Sequence, residues 1–212
     1  MKKILLASNN PGKVRELRAM LADRDVEIVP QSAFAIPEVE ETGLTFIENA
    51  LLKARHAAGL SGLPSIADDS GLEVDILNGA PGVRAARYAG EGASDADNNA
   101  KLLRELRDIP ADRRTARFRC VLVLLRHERD PSPIIAQGVW HGLILDAPRG
   151  EGGFGYDPLF FVPEMGRASA ELTAEEKNRV SHRGQALRNL LGELWAVDGP
   201  LPSARRPMGS AP

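Results

Sequence analysis

The sequence has little cysteine, few aromatic residues and almost no excess of charge. Of its 212 residues one is a cysteine, 5% are aromatic, and the formal net charge is −2. A single cysteine excludes an internal disulfide, and the apolar neighbours of Cys120 predict a small core residue rather than a catalytic thiol. The near-neutral charge, with no run of lysine and arginine, excludes a global basic field for nucleic acid or an anionic membrane.

Long hydrophobic runs are missing as well. The run from Val121 to Leu125 is far shorter than the roughly 20 residues that cross a membrane. The chain begins Met1-Lys2-Lys3, and the apolar stretch from Ile4 to Ala7 is too short for the core of a signal peptide. We therefore expect a cytoplasmic protein with neither a membrane nor a nucleic-acid partner.

An alternation of strand and helix patterns fills most of the chain, and capping residues at Thr45, Thr173 and Ser181 predict where three of the helices begin. Short βα units come first, and the two longest strand patterns, Arg117 to Leu125 and Ile134 to Leu145, are expected to pair antiparallel. The mixture predicts one α/β domain over residues 1–197, with a central mixed β-sheet flanked by helices and two lobes around an active-site cleft. Residues 198–212, rich in proline, glycine and serine, are predicted to be a disordered tail.

A polar turn, Ser8-Asn9-Asn10-Pro11-Gly12-Lys13, joins the first strand to the first helix. Free N–H groups at a helix N-terminus favour anions, and Lys13 adds a full positive charge. The turn lacks the second glycine of a Walker motif, so it is not a P-loop. It predicts a phosphate site, with an ordinary polar βα turn as the alternative.

An acidic pair, Asp68-Asp69, is predicted to follow a buried strand stub from Ser65 to Ala67, with a separate half-buried strand from Leu72 to Ile76. Adjacent carboxylates repel unless a cation lies near them, and Mg²⁺ binds one or two carboxylates together with phosphate oxygens. Because neighbouring strand side chains face opposite ways, one aspartate is expected to touch the metal while the other orients water or a neighbouring group. One member of the acidic cluster at 38–41 could complete the site, although such a cluster is more often a solvated loop.

Two further segments carry groups suited to a nucleotide base. In the glycine-rich loop at 152–158, Phe154 and Tyr156 offer aromatic faces, with a tight hairpin as the alternative. Lys177 ends a short helix, and His182 and Arg183 begin the next one. Cations at the positive end of a helix are unfavourable unless a ligand needs them, so either a binding site or two ordinary surface cations would explain this pair.

Taken together, these segments resemble the inosine triphosphate pyrophosphatases, also called noncanonical purine nucleoside triphosphate pyrophosphatases. The resemblance runs from Ile4 to about Leu194 and includes 40–43, 46–50 and 79–82 in addition to the segments above. It implies an enzyme that hydrolyses ITP, dITP and XTP to the monophosphate and pyrophosphate, which removes them from the nucleotide pool. It also implies Mg²⁺ as the cofactor and a homodimer.

The resemblance assigns roles to residues by their positions in its motifs. Glu41 and Asp69 would serve the metal with Asp68 as a neighbouring candidate, and Asp69 would also accept the proton of the attacking water. The substrate would be bound through its triphosphate by Ser8, Asn9, Asn10, Pro11, Gly12, Lys13 and Lys53, through a contact with Ser70, and through its base by Phe154, Gly155, Tyr156, Asp157, Lys177, His182 and Arg183. Arg183→Ala is therefore predicted to damage ITP turnover much more than the fold.

Two other functions remain open at this point. A Maf-like nucleotide pyrophosphatase would have a similar fold and phosphate-binding turn but would prefer pyrimidine or modified nucleotides. A nucleotide sensor would bind substrate and magnesium without turnover, although the presence of both Asp68 and Asp69 speaks against it.

Overall fold

The computed structural model describes residues 2–24 and 26–197, so the predicted tail at 198–212 lies outside the described residues. The strands are β1 (Lys2–Leu6), β2 (Val26–Pro30), β3 (Ser65–Val74), β4 (Thr115–Leu125), β5 (Ile134–Ile144), β6 (Phe160–Val162) and β7 (Arg167–Ala168). The α-helices are α1 (Pro11–Met20), α2 (Phe46–Ser61), α3 (Asp95–Glu105), α4 (Ala174–Val180) and α5 (His182–Val197).

The seven strands form one mixed sheet in the order β2-β1-β3-β4-β5-β6-β7. β1 is parallel to both β2 and β3, whereas the pairs from β3 to β7 are antiparallel. The β4–β5 hairpin pairs Thr115 with Leu143 and Leu124 with Ile134. The predicted mixed sheet and the predicted antiparallel pair are therefore both confirmed.

Strand β3 departs from the sequence prediction. It runs without interruption from Ser65 to Val74 and pairs with β4 along its whole length, with Asp68 opposite Leu122 and Asp69 opposite Val121. The expected stub and separate second strand are thus wrong, and the acidic pair lies within a strand rather than at its end. Pairing with a long neighbour outweighs the weak strand propensity of aspartate, serine and glycine.

Capping residues start the helices as the sequence predicted. Thr45 and Thr173 each accept a hydrogen bond from the N–H group three residues ahead, and a glutamate at that position completes a capping box. Ser181 caps α5 by accepting the N–H of Gly184 at 3.2 Å. The helices that carry Lys53, Lys177 and Arg183 therefore begin at points that the local sequence dictates.

The buried hydrophobic residues pack against the sheet in two lobes, and strands β3 to β5 contribute residues to both. In the first lobe, α2 covers one face through Ala54 and Ala57, and α1 and α5 cover the other through residues such as Leu17 and Leu187. In the second lobe, Leu102 of α3 packs with aromatic residues of β4, β5 and β6. Cys120 is fully buried, as predicted. Within 2–24 and 26–197, no helix has the length and apolar character that a membrane crossing requires.

Candidate active site

A cleft of about 730 Å³ collects segments that lie far apart in the sequence. Most of the predicted site residues line it: Ser8, Asn9, Asn10, Lys13, Glu41, Lys53, Ser70, Phe154, Gly155, Tyr156, Asp157, Lys177, His182 and Arg183. The remaining four are Pro11, Gly12, Asp68 and Asp69. Both aspartates are almost completely buried in β3, which forms the floor.

The β1–α1 turn places its polar groups at one wall of the cleft. Asn10 caps α1, because its Oδ1 accepts the N–H of Lys13 at 3.1 Å. Pro11 occupies the first turn of α1. Gly12 is buried against the Phe154 ring, and a Cβ at this position would lie only 2.6 Å from a ring carbon. Pro11 and Gly12 thus shape the turn, while the side chains of its other residues face the cleft.

The two aspartates of β3 point to opposite faces of the sheet, as strand geometry requires. Asp69 faces α2, where its Oδ1 lies 2.6 Å from the Lys53 ammonium, and Lys53 also lies 2.7 Å from Glu41 Oε1. Asp68 faces α1 and α5, where it pairs with Lys13 at 2.7 Å and with Arg183 at 2.6 Å. On one face of the strand, Asp69 and Glu41 therefore share the Lys53 ammonium. On the other face, Asp68 binds two cations that come from separate helices.

Asp69 combines burial with an unused oxygen. Burial raises the pKa of the Asp69 carboxyl above its ordinary value, although the Lys53 ammonium opposes the shift. Its Oδ2 atom is buried and has no hydrogen-bond partner among the described residues. A carboxylate in this state can accept a proton from water or bind a cation.

Glu41 and Asp69 fit a divalent cation as a pair of oxygen ligands. Burial alone would raise the pKa of Glu41, but the charge and hydrogen bond of Lys53, together with the charges of Lys13 and Arg87, outweigh it and lower the pKa, so Glu41 stays ionised. The two carboxylates already share one cation, the Lys53 ammonium. No group of three or more His, Cys, Asp or Glu side chains in the described part could hold a metal. Substrate oxygens would therefore have to complete the coordination, as Mg²⁺ commonly requires.

The structure does not bring Asp68 to this pair. Its Oδ2 accepts Arg183 Nε at 2.6 Å, and its Oδ1 accepts the Ser70 hydroxyl at 2.6 Å and lies 2.7 Å from Lys13 Nζ. Burial alone would raise the pKa of Asp68, but Arg183 and Lys13 outweigh it and hold that pKa well below its usual range. Strand alternation thus directs Asp68 away from Glu41 and makes it a buried counterion of Arg183 and Lys13, and its role as a neighbouring metal candidate stays a prediction.

A glutamate that the sequence prediction missed connects Lys177 and Arg183. Glu16 of α1 lies 2.9 Å from Lys177 Nζ and 2.5 Å from Arg183 Nη1. Lys177 also pairs with Asp157 at 2.6 Å. Arg183 is 1% exposed, so this pair of cations is not an ordinary surface pair. Glu16 follows Lys13 by three positions, and this helical spacing could have signalled a shared face.

Aromatic rings complete the pocket. Lys177 Nζ and the Arg183 guanidinium lie 4.9 and 5.7 Å from the centre of the Phe154 ring. The His182 ring stacks on Phe118 at 4.7 Å. Tyr156 is 4% exposed and donates its hydroxyl to the Ala85 carbonyl at 2.8 Å, so it supports the loop at the wall of the cleft. Its contact with a base stays a prediction.

The state of His182 and the place of Arg87 were not signalled by the sequence. Burial and the neighbouring Arg183 charge lower the pKa of His182 well below its usual value, which keeps the imidazole neutral. Its Nδ1 has no partner among the described residues. Arg87, in the 3₁₀ helix Gly82–Arg87, lines the cleft with its Nη1 3.5 Å from Glu41 Oε2. No local pattern distinguishes Phe118 or Arg87 from other strand and turn residues.

Comparison with known proteins identifies the family of this chain. A sequence profile of the Ham1 family matches residues 4–193. The chain belongs to the Ham1 family. A dITP/XTP pyrophosphatase of Vibrio cholerae is 62% identical over 190 residues, which are 90% of this chain and 95% of that protein. A dITP/XTP pyrophosphatase of Salmonella typhi is 59% identical over 194 residues, 92% of this chain and 98% of that protein.

Solved structures of Ham1 proteins share the fold. A HAM1 protein from Coxiella burnetii superimposes with a TM-score of 0.85 at 50% identity, over 92% of this chain and 100% of that one. The Ham1 protein of Staphylococcus aureus gives a TM-score of 0.81 at 42% identity, over 93% and 100%. The Ham1 fold is therefore shared over nearly the whole described chain.

Proposed function

We infer that this Ham1-family protein hydrolyses the noncanonical purine nucleoside triphosphates ITP, dITP and XTP to the monophosphate and pyrophosphate, and so removes them from the nucleotide pool. The observation that carries this conclusion is identity of 59% and 62% to dITP/XTP pyrophosphatases over nearly their whole length. The family match favours purine substrates over the pyrimidine or modified nucleotides of Maf-like enzymes.

The phosphate end of the cleft supplies charge neutralisation, which phosphoryl transfer chiefly requires. Lys13, Lys53 and the N-terminus of α1 would face the triphosphate. In the absence of substrate their charges are balanced by Asp68, Asp69 and Glu41. Binding of the triphosphate would replace part of this balance with phosphate oxygens.

Asp69 is suited to accept the proton of the attacking water. Burial raises its pKa, which makes the carboxylate a stronger base, and its buried Oδ2 has no hydrogen-bond partner among the described residues. Lys53 holds Oδ1 and so orients the carboxylate. We propose that Asp69 directs water to the α-phosphorus while pyrophosphate leaves.

Magnesium dependence is part of the same proposal. Glu41 and Asp69 would hold Mg²⁺ together with substrate oxygens, and the bound ion would polarise the phosphates and neutralise developing charge. Chelation should abolish turnover, and added Mg²⁺ should restore it. Full activity in excess chelator would contradict this part of the proposal.

Selectivity for the base would come from the buried cations. Hypoxanthine and xanthine present an acceptor oxygen at position 6, whereas adenine presents an amino donor. Lys177 and Arg183 offer donors beside the Phe154 ring, and adenine would leave such donors unpaired. A site built to donate to a substrate oxygen can reject the analogue lacking it by about 10⁴-fold or more.

The decisive experiment measures pyrophosphate release from ITP, dITP, XTP, GTP and ATP with Mg²⁺, for the wild type and Asp69→Asn. Strong release from the first three alone, lost in the variant, is the expected result. Equal turnover of all five would reject the purine-sanitising function. Nucleotide binding without turnover would support the sensor instead.

We also propose a cytoplasmic homodimer. A cytoplasmic location follows from the substrates, since nucleoside triphosphate pools are cytoplasmic, and the dimer rests on resemblance. Light scattering that gives the mass of one chain, 22.9 kDa, at working concentration would contradict the dimer.

A further inference from the structure

Helix α3 contributes no residue to the predicted site, yet it holds the loop that carries Phe154. Asp95 Oδ2 accepts the N–H of Gly155 at 2.6 Å, and Asn99 Nδ2 donates to the carbonyl of the same glycine at 2.9 Å. The two side chains are four positions apart and so lie on one face of the helix. Both backbone hydrogen-bonding groups of one loop residue are thus bound by a single helix.

Gly155 is a flexible position, so its two hydrogen bonds to α3 affect where the loop lies. It adopts φ +63°, a conformation that glycine reaches freely and other residues reach with strain. A glycine has no side chain to anchor it, and its backbone is the most mobile of any residue type. External hydrogen bonds to both its N–H and its carbonyl therefore restrict the loop at this glycine.

The neighbour of Gly155 forms one wall of the base pocket. The Phe154 ring faces Lys177 and Arg183 and packs against Gly12 of the phosphate turn. A displaced Gly155 would move the attached Phe154 and change the width of the slot beside those cations. The position of the ring therefore depends on two side chains of α3, of which Asp95 lies at the edge of the cleft and Asn99 outside it.

Helix α3 is itself firmly placed, so it can act as a fixed support. Leu102 and Leu106 are fully buried in the core of the second lobe. Asn98 accepts the N–H of Ala89 at 2.8 Å and donates to the carbonyl of Ala86 at 3.1 Å, which ties the helix to another wall of the cleft. Asp95 lies in the first turn of α3, where the helix dipole favours a negative charge.

We propose that Asp95 and Asn99 are positioning residues that set purine-base affinity, by fixing Gly155 and with it the Phe154 ring over the base pocket. This inference rests on the proposed function for its substrate, but it concerns the base end alone. Neither residue contacts Lys13, Lys53, Glu41 or Asp69, so the phosphate end keeps its geometry when they are changed.

The test compares dITP kinetics of Asp95→Ala and Asn99→Asp with Asp95→Asn and the control Asp108→Ala. Each of the first two loses one hydrogen bond to Gly155 and should raise KM about 3- to 10-fold, with kcat within about twofold. Asp95→Asn keeps an acceptor oxygen and should restore KM to within about twofold of the wild type. Asp108 is exposed beyond the C-terminal end of α3, so its variant should match the wild type.

Calorimetry with the two reaction products separates the base end from the phosphate end. Asp95→Ala and Asn99→Asp should bind dIMP about 3- to 10-fold more weakly and should bind pyrophosphate with Mg²⁺ as the wild type does. Unchanged dIMP affinity in folded variants, or an equal loss for pyrophosphate, would overturn the proposal. A wild type that binds dIMP without hydrolysing dITP would contradict only the proposed function, and the dIMP comparison would still decide this one.

Discussion

Replacement of Arg183 by alanine is expected to damage the fold as well as the activity. The sequence alone led us to expect a loss of turnover much larger than the loss of stability. The structure revises that expectation, because the Arg183 side chain is 2% exposed and its guanidinium pairs with two carboxylates. Arg183→Ala leaves Asp68 with Lys13 and Glu16 with Lys177 as their only cations among the described contacts.

The magnitude follows from the cost of an uncompensated buried charge. Removal of one partner from a buried ion pair costs about 3–5 kcal/mol. Because a domain of this kind is stable by about 5–15 kcal/mol, the loss would be a large part of the total. The matched control is Arg188→Ala, which removes an exposed arginine from the same helix and should cost about 0.5 kcal/mol or less.

The stability loss should also depend on pH. In the wild type the pKa values of Asp68 and Glu16 are lowered below their unfolded values, since Arg183 and the neighbouring lysines outweigh burial. Lowered carboxyl pKa values stabilise the fold above the unfolded pKa, and this contribution is lost as pH falls through the folded pKa. Without Arg183 these pKa values rise, and protonation relieves the unpaired charges. The difference between variant and wild type should therefore shrink as pH falls from 7 toward 4.

Urea unfolding of the wild type, Arg183→Ala and Arg188→Ala at several pH values measures this difference. A deficit below about 1 kcal/mol at pH 7, or one that stays constant down to pH 4, would refute the counterion argument. Turnover measured without urea, at a temperature well below thermal unfolding, would report the loss of substrate recognition separately from the loss of stability.

Three other substitutions test separate parts of the site. Lys53→Gln removes the cation that opposes the raised pKa of Asp69, so the acid limb of the pH–rate profile should move to higher pH. An acid limb at the wild-type pH would contradict Asp69 as the base. Gly12→Ala places a Cβ 2.6 Å from the Phe154 ring and should raise KM for dITP roughly tenfold, whereas unchanged kinetics would show that the ring shifts freely. Thr45→Ala removes the α2 cap and should lower the free energy of unfolding by about 1 kcal/mol without changing kcat. A melting temperature equal to that of the wild type would reject the stabilising role of this cap.

Local sequence patterns predicted much of the framework. The capping boxes at Thr45 and Thr173 and the β4–β5 hairpin appear where they were expected, because both depend on residues close together in the chain. The continuous β3 was not predicted. Its path through Asp68 and Asp69 depends on pairing with β4, and that pairing is a long-range contact with no local signal.

The sequence by itself identified most of the chemical groups that line the cleft and required that neighbouring aspartates face opposite ways. Only the tertiary structure decided their partners: Arg183 meets Asp68 across 115 positions and Glu16 across 167. The physical reason is that these interactions act over different distances along the chain. Capping and periodicity act over a few residues, whereas the compensation of a buried charge depends on which helices pack against which face of the sheet. The pairing of Glu41 and Asp69 through Lys53, the burial of Asp68 beside Arg183 and the hydrogen bonds from α3 to Gly155 all follow from that packing.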